Sequence, residues 1–173
     1  IVVDAQQGFD AQDVNILHLA IKNKKGCLIV MNKWDLVEKD HTTARKIETE
    51  IHQRLATLNY VPVVFSSALT KQRIHKVVEK AIEVFENKKR KIPTSQLNDV
   101  MLKEIEKYPP PAERGKIIKI KYVTQLPTHN PTFAFFANHP KHIGETYERY
   151  LENRLREHFN FEGVPIKLVF RDK

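Results

Sequence analysis

Three short apolar runs set the limits on what this chain can fold into. They are "IVVD" at 1–4, "CLIVM" at 27–31 and "YVPVVF" at 60–65. Each reads as a buried strand. The gaps between them are far too long for a tight hairpin and contain no Asn-Gly or Asp-Gly turn signal. Gaps of that length suit a crossover helix between parallel strands, and the intervening segments carry helical periodicity. Val14, Ile16, Leu17, Leu19, Ala20 and Ile21 form an apolar face ending near Lys22, with Asp10 placed as N-cap and Gly26 as the C-terminal stop. Ile47, Ile51, Leu55 and Leu58 share one face over 41–58, and Ile74, Val77, Val78, Ala81, Ile82 and Phe85 mark a third helix. Strand and helix alternate three times. The expected fold is α/β, a parallel sheet covered by helices.

The pattern changes at "NKKRKIPTS", 87–95, a charged connector containing proline. It divides the chain into domains 1–90 and 91–173. A helix is expected at about 95–107, with Leu97, Val100, Met101 and Ile105 inward. "YPPPAERG", 108–115, reads as a rigid turn. Strands follow at Lys116–Gln125 and Thr132–Asn138, then an amphipathic helix at about 141–158 that buries Ile143, Tyr147, Leu151 and Leu155, then the closing strand "VPIKLVF". The order α-β-β-α-β is that of a small α+β domain. The aromatics of "TFAFFAN", 132–138, read as core in preference to a base-stacking platform. Lys119 and Lys121 alternate on their strand, as phosphate contacts or as a solvated face.

Composition narrows the partners. With 41% hydrophobic residues, the 173-residue chain can bury a real core. Its formal net charge of +8 divides as +5 over 1–92 and +3 over 93–173, so it belongs to folded faces and favours acidic partners such as nucleic acid. Cys27, the one cysteine, cannot form an internal disulfide, and a reducing, cytoplasmic setting fits it. No apolar run is long enough for a membrane helix. The chain opens in mid-strand without Met, as a piece of a longer protein would. No set of Cys, His and Asp has zinc-like spacing, and no catalytic triad is signalled.

The chemistry lies where two of the strands end. "CLIVM" stops at Asn32-Lys33-Trp34-Asp35, and "VPVVF" runs into Ser66-Ser67-Ala68-Leu69. Carboxyl ends of parallel strands line the crevice in which α/β sheets bind ligands. Guanine presents two adjacent donors on its Watson–Crick edge, and one carboxylate, Asp35, accepts both as a planar fork. Adenine would leave that acid unpaired, a cost large enough for discrimination of ~10⁴. Asn32 would donate to the base N7 and tie the loops together. The Lys33 stem would cover the base face. Small residues at Ser67 and Ala68 let the backbone approach, with the Ala68 N–H meeting O6 and Leu69 the third residue of this loop in the candidate site.

Asn32-Lys33-Trp34-Asp35 and "SSALTK" resemble the base-recognition motifs of translation-factor-type GTPases. The wider sequence, and above all "YLENRLREHFNFEGVPIKL", resembles the tandem GTPase family called Der or EngA: the second half of its second G domain, then its C-terminal KH-like domain. The resemblance implies a GTP-dependent, bacterial, cytoplasmic factor acting on the large ribosomal subunit and its rRNA, with GTP or GDP as cofactor of the full-length protein. Two elements are missing. The glycines at 8, 26, 115, 144 and 163 include no pair five apart, as a phosphate-cradling P-loop requires, and no pair three apart, as the GxxG clamp of a KH module requires. Magnesium would also depend on the absent P-loop half. This chain is therefore expected to carry the guanine-specificity half-site, to pair with the missing G-domain parts of the same protein and not to hydrolyse GTP alone. The alternative is a non-enzymatic RNA- or ribosome-binding module with a vestigial guanine site.

Overall fold

The computed structural model describes residues 1–113 and 115–172. Two compact units make up the chain: Ile1–Lys88 with Phe161–Pro165, and Lys89–Asn160 with Ile166–Lys173.

The first unit is a three-stranded parallel sheet with helices. Strands β1 (Val2–Asp4), β2 (Ile29–Asn32) and β3 (Val63–Phe65) lie in the order β1-β2-β3. Val3, Met31 and Phe65 are register partners and share a face. Against that face pack Leu17 of α1 (Ala11–Lys22) and Ile51 and Leu55 of α2 (Thr43–Leu55), all almost fully buried. The α1 N-terminus is a capping box: the Asp10 carboxylate accepts from the Gln12 and Asp13 amides, and Asp13 accepts from the Asp10 amide. Asp40 does the same work before α2, accepting from the amides of Thr42 and Thr43.

Two expectations for this unit need correction. Gly26 does not stop α1. Lys24 takes the left-handed conformation (φ 56°), and its amide reaches the Ile21 carbonyl. Gly26 is small for another reason: a Cβ there would lie 2.8 Å from Val84 Cγ1. The apolar stripe of α3 (Ile74–Lys89) is also not its buried face. Val78, Ile82 and Phe85 are more than half exposed, whereas Val84 and Asn87 are buried. Periodicity finds an apolar stripe but not the side on which a partner lies. β1 is an edge strand, hydrogen-bonded only to β2 among the described residues, and Val2 on its outer face is 69% exposed.

The second unit runs α4 (Thr94–Lys107), β4 (Ile120–Gln125), β5 (Thr132–Ala137), α5 (Glu145–His158) and β6 (Lys167–Asp172). This is the expected α-β-β-α-β order. β4 pairs antiparallel with β5, and β5 pairs parallel with β6. Phe133 and Phe135 are fully buried, as are Leu97, Met101, Leu151 and Leu155 of the helices. Several boundaries differ from the sequence reading. β4 begins four residues later than expected. α5 begins at Glu145, so Ile143 lies outside the helix; Gly144 occupies the N-cap. The closing strand is Lys167–Asp172, because Phe161–Pro165 belongs to the first unit. In the turn expected at 108–115, Arg114 lies outside the described residues.

Within the first unit, Gly163 ties the 161–165 segment in place. Its amide donates to the Tyr60 carbonyl, and its carbonyl accepts from Cys27, both at 2.7 Å. Its φ is +73°, and a Cβ would lie 2.5 Å from Val84 Cγ2 and 2.7 Å from the Cys27 carbonyl. Backbone strain and overpacking then act together. Gly163→Ala is expected to destabilise the protein by at least about 2 kcal/mol in urea unfolding. Gly144→Ala, where nothing lies within 4 Å of the new methyl, should cost less, about 1 kcal/mol or below, because alanine is the poorer N-cap for α5.

Candidate guanine-recognition site

Parallel pairing brings the ends of all three strands of the first unit together. Asp4 is the register partner of Asn32, and Met31 that of Phe65. The ladder continues past the strands: the Ala5 amide donates to the Asn32 carbonyl at 2.9 Å, Ser66 to Met31 at 2.9 Å and Trp34 to Ser66 at 3.0 Å. These bonds fix where each loop leaves the sheet.

Asn32 is half-buried, and its Oδ1 accepts from the Ala68 amide at 3.0 Å. One side chain thus bridges two loops 36 residues apart in the chain. Lys33 follows in the left-handed region (φ 60°, ψ 33°), which is costly for a residue with a Cβ. That turn starts a short 3₁₀ segment, Trp34–Leu36, closed by the Leu36 amide on the Lys33 carbonyl at 3.0 Å. Trp34 anchors it. The indole is 3% exposed and packs on Phe65 with ring centroids 4.4 Å apart. Lys39 Nζ lies 5.6 Å from the indole centroid and donates to the Trp34 carbonyl at 2.7 Å.

Asp35 is held at the rim by this anchoring. Its Oδ1 is shut off from solvent and has no hydrogen-bond partner. A buried acceptor without a donor is costly in general, by about 1–3 kcal/mol. Ser67 is fully buried. Its amide donates to Gln72, and its Oγ accepts from the Thr70 amide at 3.1 Å, which shapes the loop. Ala68 and Leu69 stand at the exposed tip, Leu69 at 84%.

The residues from 1 to 87 match the model of the elongation factor Tu GTP-binding domain, and residues 91–171 match that of the C-terminal KH-domain-like region of EngA bacterial GTPases. The GTPase Der of Amoebophilus asiaticus is 53% identical over 173 residues, covering all of this chain. That of Cytophaga hutchinsonii is 51% identical over the same length, and one from Bacteroides fragilis 53% over 175 residues. The chain belongs to the Der/EngA GTPase family. It spans about 40% of the length of the curated relatives it matches.

In this Der/EngA chain the six residues singled out from sequence, Asn32, Lys33, Asp35, Ser67, Ala68 and Leu69, lie on two loops of one unit. Two further residues had no motif to mark them. Lys39 closes the Trp34 turn from outside it. Asp4 accepts from Lys33 Nζ at 2.7 Å and from the Gln6 amide at 3.0 Å, and these bonds, the lysine first, hold its carboxyl below the usual carboxylate range. An acid ending the strand beside the motif was the only clue to it. A neighbouring cleft of about 270 Å³ is lined by Asp4, Asp10 and Asp13, but the Asp10 and Asp13 carboxylates are engaged in the capping box and the Asp4 carboxylate by Lys33 and the Gln6 amide.

Asn32→Ala removes the bridge and leaves the Ala68 amide without its acceptor. Amide hydrogen exchange at Ala68 should then accelerate at least tenfold, with a global loss of about 1 kcal/mol. Unchanged protection would mean that Asn32 does not hold the loop.

Proposed function

We propose that this chain supplies the base-reading half of a guanine-nucleotide site in a ribosome-assembly GTPase. The observation that carries the reading is the Asn32–Ala68 bridge, which ties the loop bearing Asn32, Lys33 and Asp35 to the loop bearing Ser67, Ala68 and Leu69 at the carboxyl ends of β2 and β3. Asp35 accepts the two donors of guanine, Asn32 Nδ2 meets N7, and the Lys33 stem covers the base. The Ala68 N–H is already engaged by Asn32, so O6 shares it or takes the Leu69 N–H. GTP, when bound, supplies the switch between two nucleotide states. This chain's own residues select the base and leave phosphate and magnesium to segments it does not contain. Alone it neither retains GTP nor hydrolyses it. The edge position of β1, which pairs only with β2 among the described residues, supports a sheet that continues onto those segments in the full-length protein.

The partner in this reading is rRNA of the large subunit, and the setting is the cytoplasm; no helix among the described residues is long and apolar enough to cross a membrane. One observation also favours the second reading, an RNA-binding module. Tyr122 and Phe136 are register partners on the sheet face opposite the buried Phe133 and Phe135, stacked at 4.3 Å and 11°. Arg171 is the β6 partner of Phe136, and Lys121 lies at the adjoining irregularity in β4. Stacked rings beside cations that make no ion pair among the described residues suit single-stranded RNA without a GxxG clamp.

Two measurements on the full-length protein separate these readings. Asp35→Asn should shift preference from GDP to XDP in a competition assay, because the amide donates where the xanthine ring offers an acceptor. Unchanged guanine selectivity would remove the site assignment. Tyr122→Ala and Arg171→Gln should each weaken binding of a labelled single-stranded RNA about fivefold or more, with Arg171→Gln lowering the salt slope by about 0.7. Equal affinity in both variants would remove the RNA surface.

A further inference from the structure

The ion pair between Asp4 and Lys33 falls outside the base-recognition motif, yet it joins the strand beside the motif to the motif's own lysine. The carboxylate is firmly placed. Asp4 ends β1 as the register partner of Asn32, and its backbone carbonyl accepts the Gln7 and Gly8 amides at 3.1 and 3.0 Å. Its Oδ1 takes the Gln6 amide, which leaves Oδ2 for Lys33. The Asp4 side chain is 19% exposed and that of Lys33 is 52% exposed. A lysine that exposed has no packing to select one rotamer from many. The charge at Asp4 selects it, and the left-handed backbone at Lys33 sets the direction from which the stem approaches.

We propose that Asp4 is a positioning residue for nucleotide binding, holding the Lys33 ammonium so that the lysine stem is pre-set over the face of the base. The proposal rests on the guanine reading of the Asp35 loop. Asp4 touches no part of the nucleotide and acts only through Lys33. Its loss therefore reduces affinity without altering which base is chosen, since the donor–acceptor pattern of the base edge is read by Asp35.

The test uses the full-length protein and the equilibrium Kd of GDP. Asp4→Asn keeps an oxygen for the Gln6 amide and removes the charge; it should weaken GDP binding about three- to tenfold. Asp4→Glu should recover at least half of that loss. Lys33→Met should cost about as much as Asp4→Asn, and the double variant should bind no more weakly than Lys33→Met alone. In an Asp35→Asn background, Asp4→Asn should weaken XDP by the same factor. An unchanged or tighter GDP Kd in Asp4→Asn would overturn the proposal. So would a loss that persists undiminished in the Lys33→Met background, because that marks a general structural effect. Failure of Asp35→Asn to gain XDP would instead overturn the underlying guanine reading, which makes the two failures distinguishable.

Discussion

The hydrogen bond from the Ala68 amide to Asn32 Oδ1 is the contact on which the site depends. Parallel strands bring their carboxyl ends to the same edge, but the loops beyond them have no ladder of their own. Three backbone bonds carry the register a residue or two further, through Ala5, Trp34 and Ser66. Past that point a side chain reaches from one loop to the other. Asn32 does so, and its length sets how close the backbone of Ala68 comes to the end of β2. The buried Trp34–Phe65 pair then resists rotation of the 3₁₀ segment that carries Asp35. Packing beneath and one amide bridge above turn two flexible connections into a fixed surface.

The alternation of strands and helices was legible because each run between turns has one dominant period. The second unit's order was legible for the same reason. Boundaries were less so. "VPIKLVF" is apolar apart from Lys167, yet Val164 and Pro165 sit in the first unit and only the residues from Lys167 onward form the strand. Hydrophobicity marks burial, not the element that provides it. The stripe of Val78, Ile82 and Phe85 on α3 has the same character: the sequence marks an apolar face, and nothing local says which neighbour covers it. The Lys24 left-handed stop went unseen because glycine, not lysine, is the residue read as permissive there.

At the site, the motif residues were legible as a set and their connections were not. The spacing of Asn32, Lys33 and Asp35 is visible as a pattern in the sequence, whereas the bonds of Asp4 and Lys39 depend on which strand neighbours which and how a turn closes. Phe136 was read with the core aromatics, but strand alternation puts it opposite Phe133 and Phe135, beside Tyr122. Membership of the Der/EngA family fits both units and does not by itself assign the work of any one residue. The candidate guanine site and the stacked aromatic face lie in separate units, so the two proposed roles can be tested by independent substitutions.

The central claim is that polar complementarity at Asp35 selects guanine. It is tested most directly by nucleotide competition on the wild-type full-length protein, with labelled GDP displaced by unlabelled GDP or ADP. The account predicts that ADP competes at least about 10³-fold less well, because adenine offers the Asp35 carboxylate no pair of donors. Displacement by ADP at concentrations similar to GDP would contradict it.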